Sequence, residues 1–173
     1  MAEVTAKMVA ELRKMTSAGL MDCKKALTET DGDIEKAVDV LRAQGTIKAA
    51  KKADREANEG IISHYIRPDS KAGILIEINC ETDFVAKNET FVEFASEVAQ
   101  LKLNEPETDF EELRTAQVAK IGENIQFSRD SKLEVDGVGL IAAYIHTGGK
   151  VGVLLQVGTG KEETLANDEF KSL

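Results

Sequence analysis

The chain has 173 residues, of which 42% are hydrophobic and 31% are charged, and this composition excludes a disordered tail. It has 22 Lys and Arg residues against 31 Asp and Glu residues, so the net charge is -9 and direct nucleic-acid binding is not expected, because phosphate contacts require clustered positive charge. Cys23 and Cys80 show no paired spacing, the N-terminus has no signal-peptide pattern, and no apolar run approaches the roughly 18 residues of a membrane span, so we expect a cytosolic protein that does not cross a membrane.

Three helices and a linker are predicted in residues 1–57. The first helix has an apolar face made of Val4, Met8, Leu12 and Met15. Asp22 can cap a short second helix, and a third amphipathic helix is indicated by the spacing of Ile34, Ala37, Val38 and Leu41. Gly45 is well placed to end the third helix in a left-handed conformation, and residues 46–57 then form a polar helix or linker.

Two stretches of the remaining chain repeat each other at a constant distance. The motif of residues 60–76 reappears 79 residues later, at 139–155. The matched residues include Tyr65 with Tyr144, Lys71 with Lys150, and Gly73 with Gly152. Each copy has two runs rich in β-branched residues around a turn, at 67–70 in the first copy and at 146–149 in the second, which is typical of a β-hairpin. The repeat therefore predicts two related subdomains.

Further elements are predicted between the two hairpins. A helix that packs on the first hairpin is marked by Phe91, Phe94, Ala95, Val98 and Leu101, and another helix is marked by Phe110, Leu113, Val118 and Ile121. Gly122 is expected to end the second of these helices, and the alternation at Ile125 and Phe127 predicts a third strand.

These patterns predict an α+β fold with small antiparallel sheets and three parts. Residues 1–57 form the three-helix domain with its linker, residues 58–138 form a first core subdomain, and residues 139–173 form a second core subdomain. The second subdomain is too short to repeat the helices that follow the first hairpin.

Signatures of two nucleotide or metal sites are present only in part. Asp31, Asp33 and Glu35 resemble the start of a calcium loop, but a Lys and an Arg occupy the later positions that need Gly and Glu. The segment GTGK at 158–161 lacks both the first Gly and the magnesium-binding Ser or Thr of a phosphate loop.

A hydrolase that uses Cys80 or His146 is an alternative. His64, His146 and Asp83 could supply a base, but a reactive thiolate needs an electropositive environment and Cys80 is followed by Glu81. Two histidines without further spaced ligands make a weak zinc site. We therefore predict no catalytic residues, no metal and no cofactor.

The polar connection at residues 79–88 carries one large apolar side chain, Phe84. Two interpretations are open on spacing alone. The ring either folds back as a core residue or hydrophobic staple of the following helix, or it is a hot spot that the loop delivers into the pocket of a partner.

Three segments of the chain strongly resemble bacterial elongation factor Ts: AGLMDCKKAL at 18–27, CETDFVAKN at 80–88 and AKIGENI at 119–125. The segments are long and in the family's order, and the resemblance spans essentially the whole chain. It implies an N-terminal ubiquitin-associated-like three-helix domain followed by a core of two related subdomains. It also implies a non-enzymatic guanine-nucleotide exchange factor, whose partner is elongation factor Tu with GDP bound.

The resemblance also implies which residues contact that partner. Thr82, Asp83, Phe84 and Val85 form the segment that enters the GTPase domain and displaces the magnesium associated with the nucleotide. Secondary contacts are implied for Arg13, Leu20, Met21 and His146.

Two further points stay open at this stage. Family members usually continue past the position of Leu173 with helices that complete the second subdomain, so one interpretation is a fragment in which Leu165 and Phe170 begin a helix that is cut short. The rival function is an adaptor whose N-terminal module binds ubiquitin-like or helical partners while the core serves as a scaffold.

Overall fold

The computed structural model describes residues 4–16 and 18–171, with only the backbone described at position 171. The helices are α1 (Ala6–Thr16), α2 (Leu20–Glu29), α3 (Ile34–Ala50), α4 (Asp83–Ala86), α5 (Glu89–Asn104), α6 (Phe110–Ile121), α7 (Glu162–Ala166) and α8 (Asp168–Lys171). The strands are β1 (Glu59–Ile66), β2 (Ala72–Cys80), β3 (Ile125–Glu134), β4 (Gly139–Ile145) and β5 (Gly152–Gly158). This mixture of helices and small antiparallel sheets confirms the α+β class.

The chain divides into two compact units. One contains the residues up to 56 together with 109–125, and the other contains 57–108 together with the residues from 126 onward. The first unit therefore holds α1, α2, α3 and α6, and the second holds the sheets with the remaining helices. The division into domains at residues 57 and 138 stays a prediction.

The first unit is built around the three predicted N-terminal helices. Its core is formed by Val9, Leu12, Cys23, Ala26, Leu27, Ala37 and Leu41. The cap of α2 differs from the prediction: Gly19 is the N-cap, and Asp22 lies in the first turn of the helix, where a carboxylate is favoured by the helix dipole. Asp22 also bonds Lys48 of α3 at 2.9 Å.

The prediction that Gly45 ends α3 is wrong, since the helix continues to Ala50. The residue is buried within the helix and faces α6. A Cβ at Gly45 would lie 3.7 Å from Ala119 Cβ, so the missing side chain lets α6 approach α3 closely. The sequence signal of a stop is overridden here by packing between helices. At the end of α6, in contrast, Gly122 adopts a left-handed φ of 88°, as predicted.

The second unit begins with a three-stranded antiparallel sheet in the order β1-β2-β3. The strands β1 and β2 form the first predicted hairpin, and β3 confirms the third predicted strand. The helix α5 packs on this sheet through a stripe that includes Phe91, Phe94 and Val98, which are all buried. The ring of Phe94 stacks against Phe127 of β3 at a centroid distance of 6.1 Å.

The second hairpin, β4 with β5, repeats the register of the first. Tyr65 pairs with Ile74 in the first hairpin, and Tyr144 pairs with Val153 in the second, so the offset of 79 residues holds for the pairing as well as for the sequence. The repeat that the sequence predicts is therefore a repeat of strand geometry.

The two hairpins differ in how well their faces are covered. Ile76 is 1% exposed beneath α5, whereas its equivalent Leu155 is 52% exposed. Among the described residues, only the short helices α7 and α8 follow the second hairpin. Leu165 lies in α7 and Phe170 in α8, with an extended Asn167 between them, so the single helix expected there is replaced by two short ones. Every helix in the described part of the chain is too short or too polar to span a bilayer.

Replacing Gly60 with alanine should destabilise the second unit. Gly60 has a φ of 143°, and a Cβ there would overlap the carbonyl oxygen of Ile78 and lie 2.7 Å from Asn79 Cα. Because these are backbone atoms that cannot move aside easily, we expect Gly60→Ala to lower the free energy of unfolding by about 1–3 kcal/mol in a chemical denaturation experiment.

The matched control is Gly158→Ala in β5, where a Cβ would meet no atom within 4 Å. We expect this substitution to change the free energy of unfolding by less than about 0.5 kcal/mol. Equal effects of the two substitutions would contradict the packing argument.

Candidate functional site

The connection from β2 to α5 contains a single helical turn, α4, that is capped at its start. Thr82 is its N-cap, and the hydroxyl oxygen accepts a hydrogen bond from the backbone N-H of Val85 at 3.3 Å. The carbonyl oxygen of Thr82 accepts from the backbone N-H of Ala86 at 3.1 Å and from the thiol of the buried Cys80 at 3.2 Å. These bonds fix the turn to the end of β2.

The start of α5 is capped in the same way. Asn88 is its N-cap, and the side-chain oxygen accepts a hydrogen bond from the backbone N-H of Thr90 at 2.9 Å. The backbone N-H of Asn88 itself donates to the carbonyl of Val85 at 2.9 Å. The segment from 82 to 88 is therefore an ordered bend between a strand and a helix, with its direction set by two caps.

Phe84 is the exposed side chain of this bend. Its surface is 83% exposed, while Ala86, two residues further on, is 4% exposed. Residues that are two positions apart on an α-helix point in directions about 200° apart around the helix axis. Burying Ala86 against the sheet therefore turns Phe84 toward solvent. The interpretation of Phe84 as a core residue or staple is excluded by this exposure.

Asp83 and Lys87 form an ion pair across the bend. Lys87 Nζ donates to Asp83 Oδ2 at 2.8 Å, one helical turn apart. This hydrogen bond holds the pKa of the Asp83 carboxyl below its usual range and raises the pKa of Lys87, to which the negative charge of Glu59 adds a smaller contribution. Both groups are exposed, so the pair mainly orients Asp83 and contributes little to stability.

The predicted secondary contacts Arg13, Leu20 and Met21 lie at the surface of the first unit. Arg13 is in the last turn of α1, and Leu20 and Met21 are the first two residues of α2, with Met21 being 72% exposed. Met15 was expected on the apolar core face of α1 but is largely exposed as well. Met15 at the end of α1 and Leu20 and Met21 at the start of α2 are therefore large apolar side chains that are exposed to solvent.

His146 lies in the turn between β4 and β5, in the same unit as Phe84. Its Nδ1 atom is 3.1 Å from the hydroxyl oxygen of Tyr144, and both side chains are exposed. Tyr144, the last residue but one of β4, is a neighbour of His146 that was not predicted from the sequence.

The structure does not favour the alternatives of a nucleophilic cysteine or a metal site. Cys80 is fully buried and its thiol is engaged with the Thr82 carbonyl, which gives it a structural role. Within residues 4–16 and 18–171, no three His, Cys, Asp or Glu side chains come together as they would around a metal ion.

Comparisons with known proteins identify a family. Residues 81–169 match the family model described as Elongation factor TS. The chain is 48% identical over 178 residues to elongation factor Ts of Clostridium novyi (strain NT), an alignment that covers 94% of this chain and 58% of the relative. It is 49% identical to elongation factor Ts of Symbiobacterium thermophilum and 45% identical to that of Nostoc punctiforme, with 100% of this chain and 59% or 60% of each relative covered. The chain thus spans about three fifths of the length of these curated relatives.

Removing the charge of Lys87 should raise the pKa of Asp83. In Lys87→Met the carboxyl loses the hydrogen bond that lowers its pKa, so it should titrate closer to an ordinary aspartate when its carboxyl carbon is followed by NMR. A lowered folded-state pKa adds stability above the unfolded-state pKa, and this stability is lost as the pH falls through the folded-state value. The variant should therefore lose that part of the acid dependence of unfolding.

Lys36→Met is the matched control, because Lys36 pairs with Asp33 at 2.9 Å in the other unit. It should raise the pKa of Asp33 and leave that of Asp83 unchanged. An Asp83 carboxyl that titrates at the same pH in wild type and Lys87→Met would show that the pair is not formed in solution.

Proposed function

Because the chain belongs to the elongation factor Ts family, we propose that it is a guanine-nucleotide exchange factor of translation. It binds elongation factor Tu carrying GDP, displaces the bound magnesium ion and promotes release of GDP so that GTP can bind. The observation that carries the proposal is the exposed Phe84 ring on a bend whose direction is fixed by capping hydrogen bonds.

The residues of the bend divide the work. Thr82 and the buried Ala86 hold the turn, Asp83 presents an oriented carboxylate, and Phe84 with Val85 supplies the apolar surface that enters the GTPase domain. In a GTPase, a magnesium ion and a nest of backbone N-H groups hold the diphosphate. An aromatic ring inserted beside that nest distorts it and displaces the ion, which removes much of the charge compensation of the nucleotide.

Exchange by this route is reciprocal. If the factor weakens nucleotide binding by a given free energy, nucleotide weakens binding of the factor by the same amount. Incoming GTP therefore releases the factor from its partner. The chain itself makes and breaks no covalent bond in this scheme and needs no cofactor of its own.

The size of the effect requires more than one contact. Burying a Phe side chain contributes about 1.5–3 kcal/mol, whereas accelerating release by four decades requires about 5.5 kcal/mol. We assign the remainder to the other contacts, with Arg13, Leu20 and Met21 on the first unit and His146 on the second. The ubiquitin-associated-like character of α1, α2 and α3 and a cytoplasmic location, where translation takes place, belong to the same proposal.

Phe84→Ala should slow GDP release with little loss of stability. The substitution removes an apolar contact worth about 1.5–3 kcal/mol, which corresponds to a decrease of about 10- to 160-fold in the release rate at equal concentrations. Release of a fluorescent GDP from purified elongation factor Tu measures the rate. Since the ring is 83% exposed in the free chain, the melting temperature should stay near that of wild type.

Val92→Ala is the control for loss of an exposed apolar side chain, because Val92 lies on α5 outside the bend. It should leave the release rate unchanged, and Phe84→Leu should retain part of the activity. Equal release rates for wild type and Phe84→Ala would remove Phe84 from the mechanism.

Substitution of Leu20 and Met21 separates exchange from the adaptor function. Under the exchange proposal, Leu20→Ser combined with Met21→Ser raises the factor concentration needed for half-maximal GDP release and leaves the maximal rate nearly unchanged, because the two side chains supply binding and not displacement. An adaptor predicts no dependence of GDP release on either residue. Substitution is preferable to deletion of residues 1–57, because α6 packs on α3 and would lose its support.

A further inference from the structure

The two hairpins are joined by a pair of matching hydrogen bonds. The carbonyl of Ser70, in the first turn, accepts from the backbone N-H of Ile141 at 2.7 Å. The carbonyl of Gly149, in the second turn, accepts from the backbone N-H of Ile62, also at 2.7 Å. Each donor and each acceptor is related to its counterpart by the offset of 79 residues, so each turn is bonded to the first strand of the other hairpin.

Side-chain packing at this joint follows the same symmetry. A Cβ placed on Gly73 would lie 2.7 Å from Ile141 Cγ2, and a Cβ placed on Gly152 would lie 2.8 Å from Ile62 Cγ2. Both glycines are therefore positions of close approach between the hairpins. Because each hairpin contributes the same set of contacts, the joint behaves like a two-fold interface within one chain.

One side chain of the joint departs from this symmetry. Lys71 in the first turn donates to the backbone carbonyls of residues 137 and 139, at 2.8 and 2.9 Å. Its counterpart Lys150 donates to the carboxylate of Glu59 at 2.5 Å. The position that corresponds to Glu59 in the other copy holds Val138, so the carboxylate is present on one side of the joint alone.

The carboxylate is on the side of the Phe84 bend. Glu59 pairs with Cys80 in the β1-β2 register, and its carbonyl accepts a hydrogen bond from the side chain of Asn79 at 3.0 Å. Cys80 in turn holds the carbonyl of Thr82. Glu59 is thus attached to the end of β2 from which the bend emerges.

Lys150, which forms the ion pair with Glu59, lies in the turn that carries His146. Lys150 follows Gly149, whose backbone N-H donates to the His146 carbonyl at 2.9 Å. The ion pair between Lys150 and Glu59 therefore links the His146 turn to the strand end that precedes the bend, where Asp83 and Lys87 form a second ion pair.

We propose that Glu59 and Lys150 are positioning residues for partner binding, which hold the His146 turn in a fixed place relative to the Phe84 bend so that both contact the GTPase as one preorganised surface. This inference rests on the proposed function. The turn-to-strand hydrogen bonds join the two backbones, and the ion pair restricts the motion that the His146 turn retains. A surface with less motion loses less conformational entropy on binding, so breaking the Glu59-Lys150 ion pair weakens binding without touching the inserted ring.

The test measures GDP release from elongation factor Tu as a function of the concentration of the whole chain. For Lys150→Met we expect the half-saturating concentration to rise by about two- to fivefold, as for the loss of an exposed ion pair, with the maximal rate unchanged. In a His146→Ala background the same substitution should have no further effect, because the pair acts through His146. Reversing the charges, with Glu59→Lys and Lys150→Glu combined, should restore the wild-type concentration dependence.

Lys132→Met is the control, since Lys132 forms an exposed ion pair with Glu134 at 3.1 Å on β3. It should leave the concentration dependence unchanged. An unchanged curve for Lys150→Met overturns the inference and leaves the proposed function standing, even if the melting temperature falls. An equal effect of Lys150→Met with and without His146 also overturns it. Absence of accelerated release by the wild-type chain overturns the proposed function and the inference together.

Discussion

Burial of Ala86 against the first sheet is the contact on which the account depends. It fixes the rotation of a single helical turn, and the rotation decides that Phe84 points to solvent. Exposing an aromatic ring to water is unfavourable in the free chain, and burying the ring against a partner recovers that free energy. The caps at Thr82 and Asn88 add the second condition, because they prevent the bend from collapsing onto its own subdomain.

The two hairpins are copies of one element that differ in their surroundings. Strand register, turn-to-strand hydrogen bonds and glycine contacts are common to both copies. In the first copy, α5 covers the sheet, and the bend that precedes α5 carries the exposed Phe84. In the second copy the corresponding face is largely exposed, and the turn carries His146. Shared contacts join the two hairpins, and the residues that differ between the copies give the surface its asymmetry.

Much of this fold could be predicted from the sequence because its signals are local. β-branched runs around turn residues predicted both hairpins, and Gly122 predicted a helix end, since a positive φ is required there. Gly45 gave the same local signal for a different reason, which is the close approach of α6, and local rules cannot separate the two cases. Met15 has the spacing of the apolar face of α1, but its side chain is exposed and is not part of the core.

The candidate site was predictable in its residues and not in its geometry. Spacing left open whether Phe84 is a buried staple or an exposed contact, and only the packing of Ala86 decides between the two. The contact between Glu59 and Lys150 joins residues 91 positions apart, so no periodicity in the sequence could indicate it. The central claim is tested most directly by placing one fluorinated phenylalanine at position 84 and measuring the solvent accessibility of its 19F resonance. The account predicts an accessible ring in the free chain that becomes inaccessible when nucleotide-free elongation factor Tu is added, whereas a ring with the same accessibility in both states would contradict it.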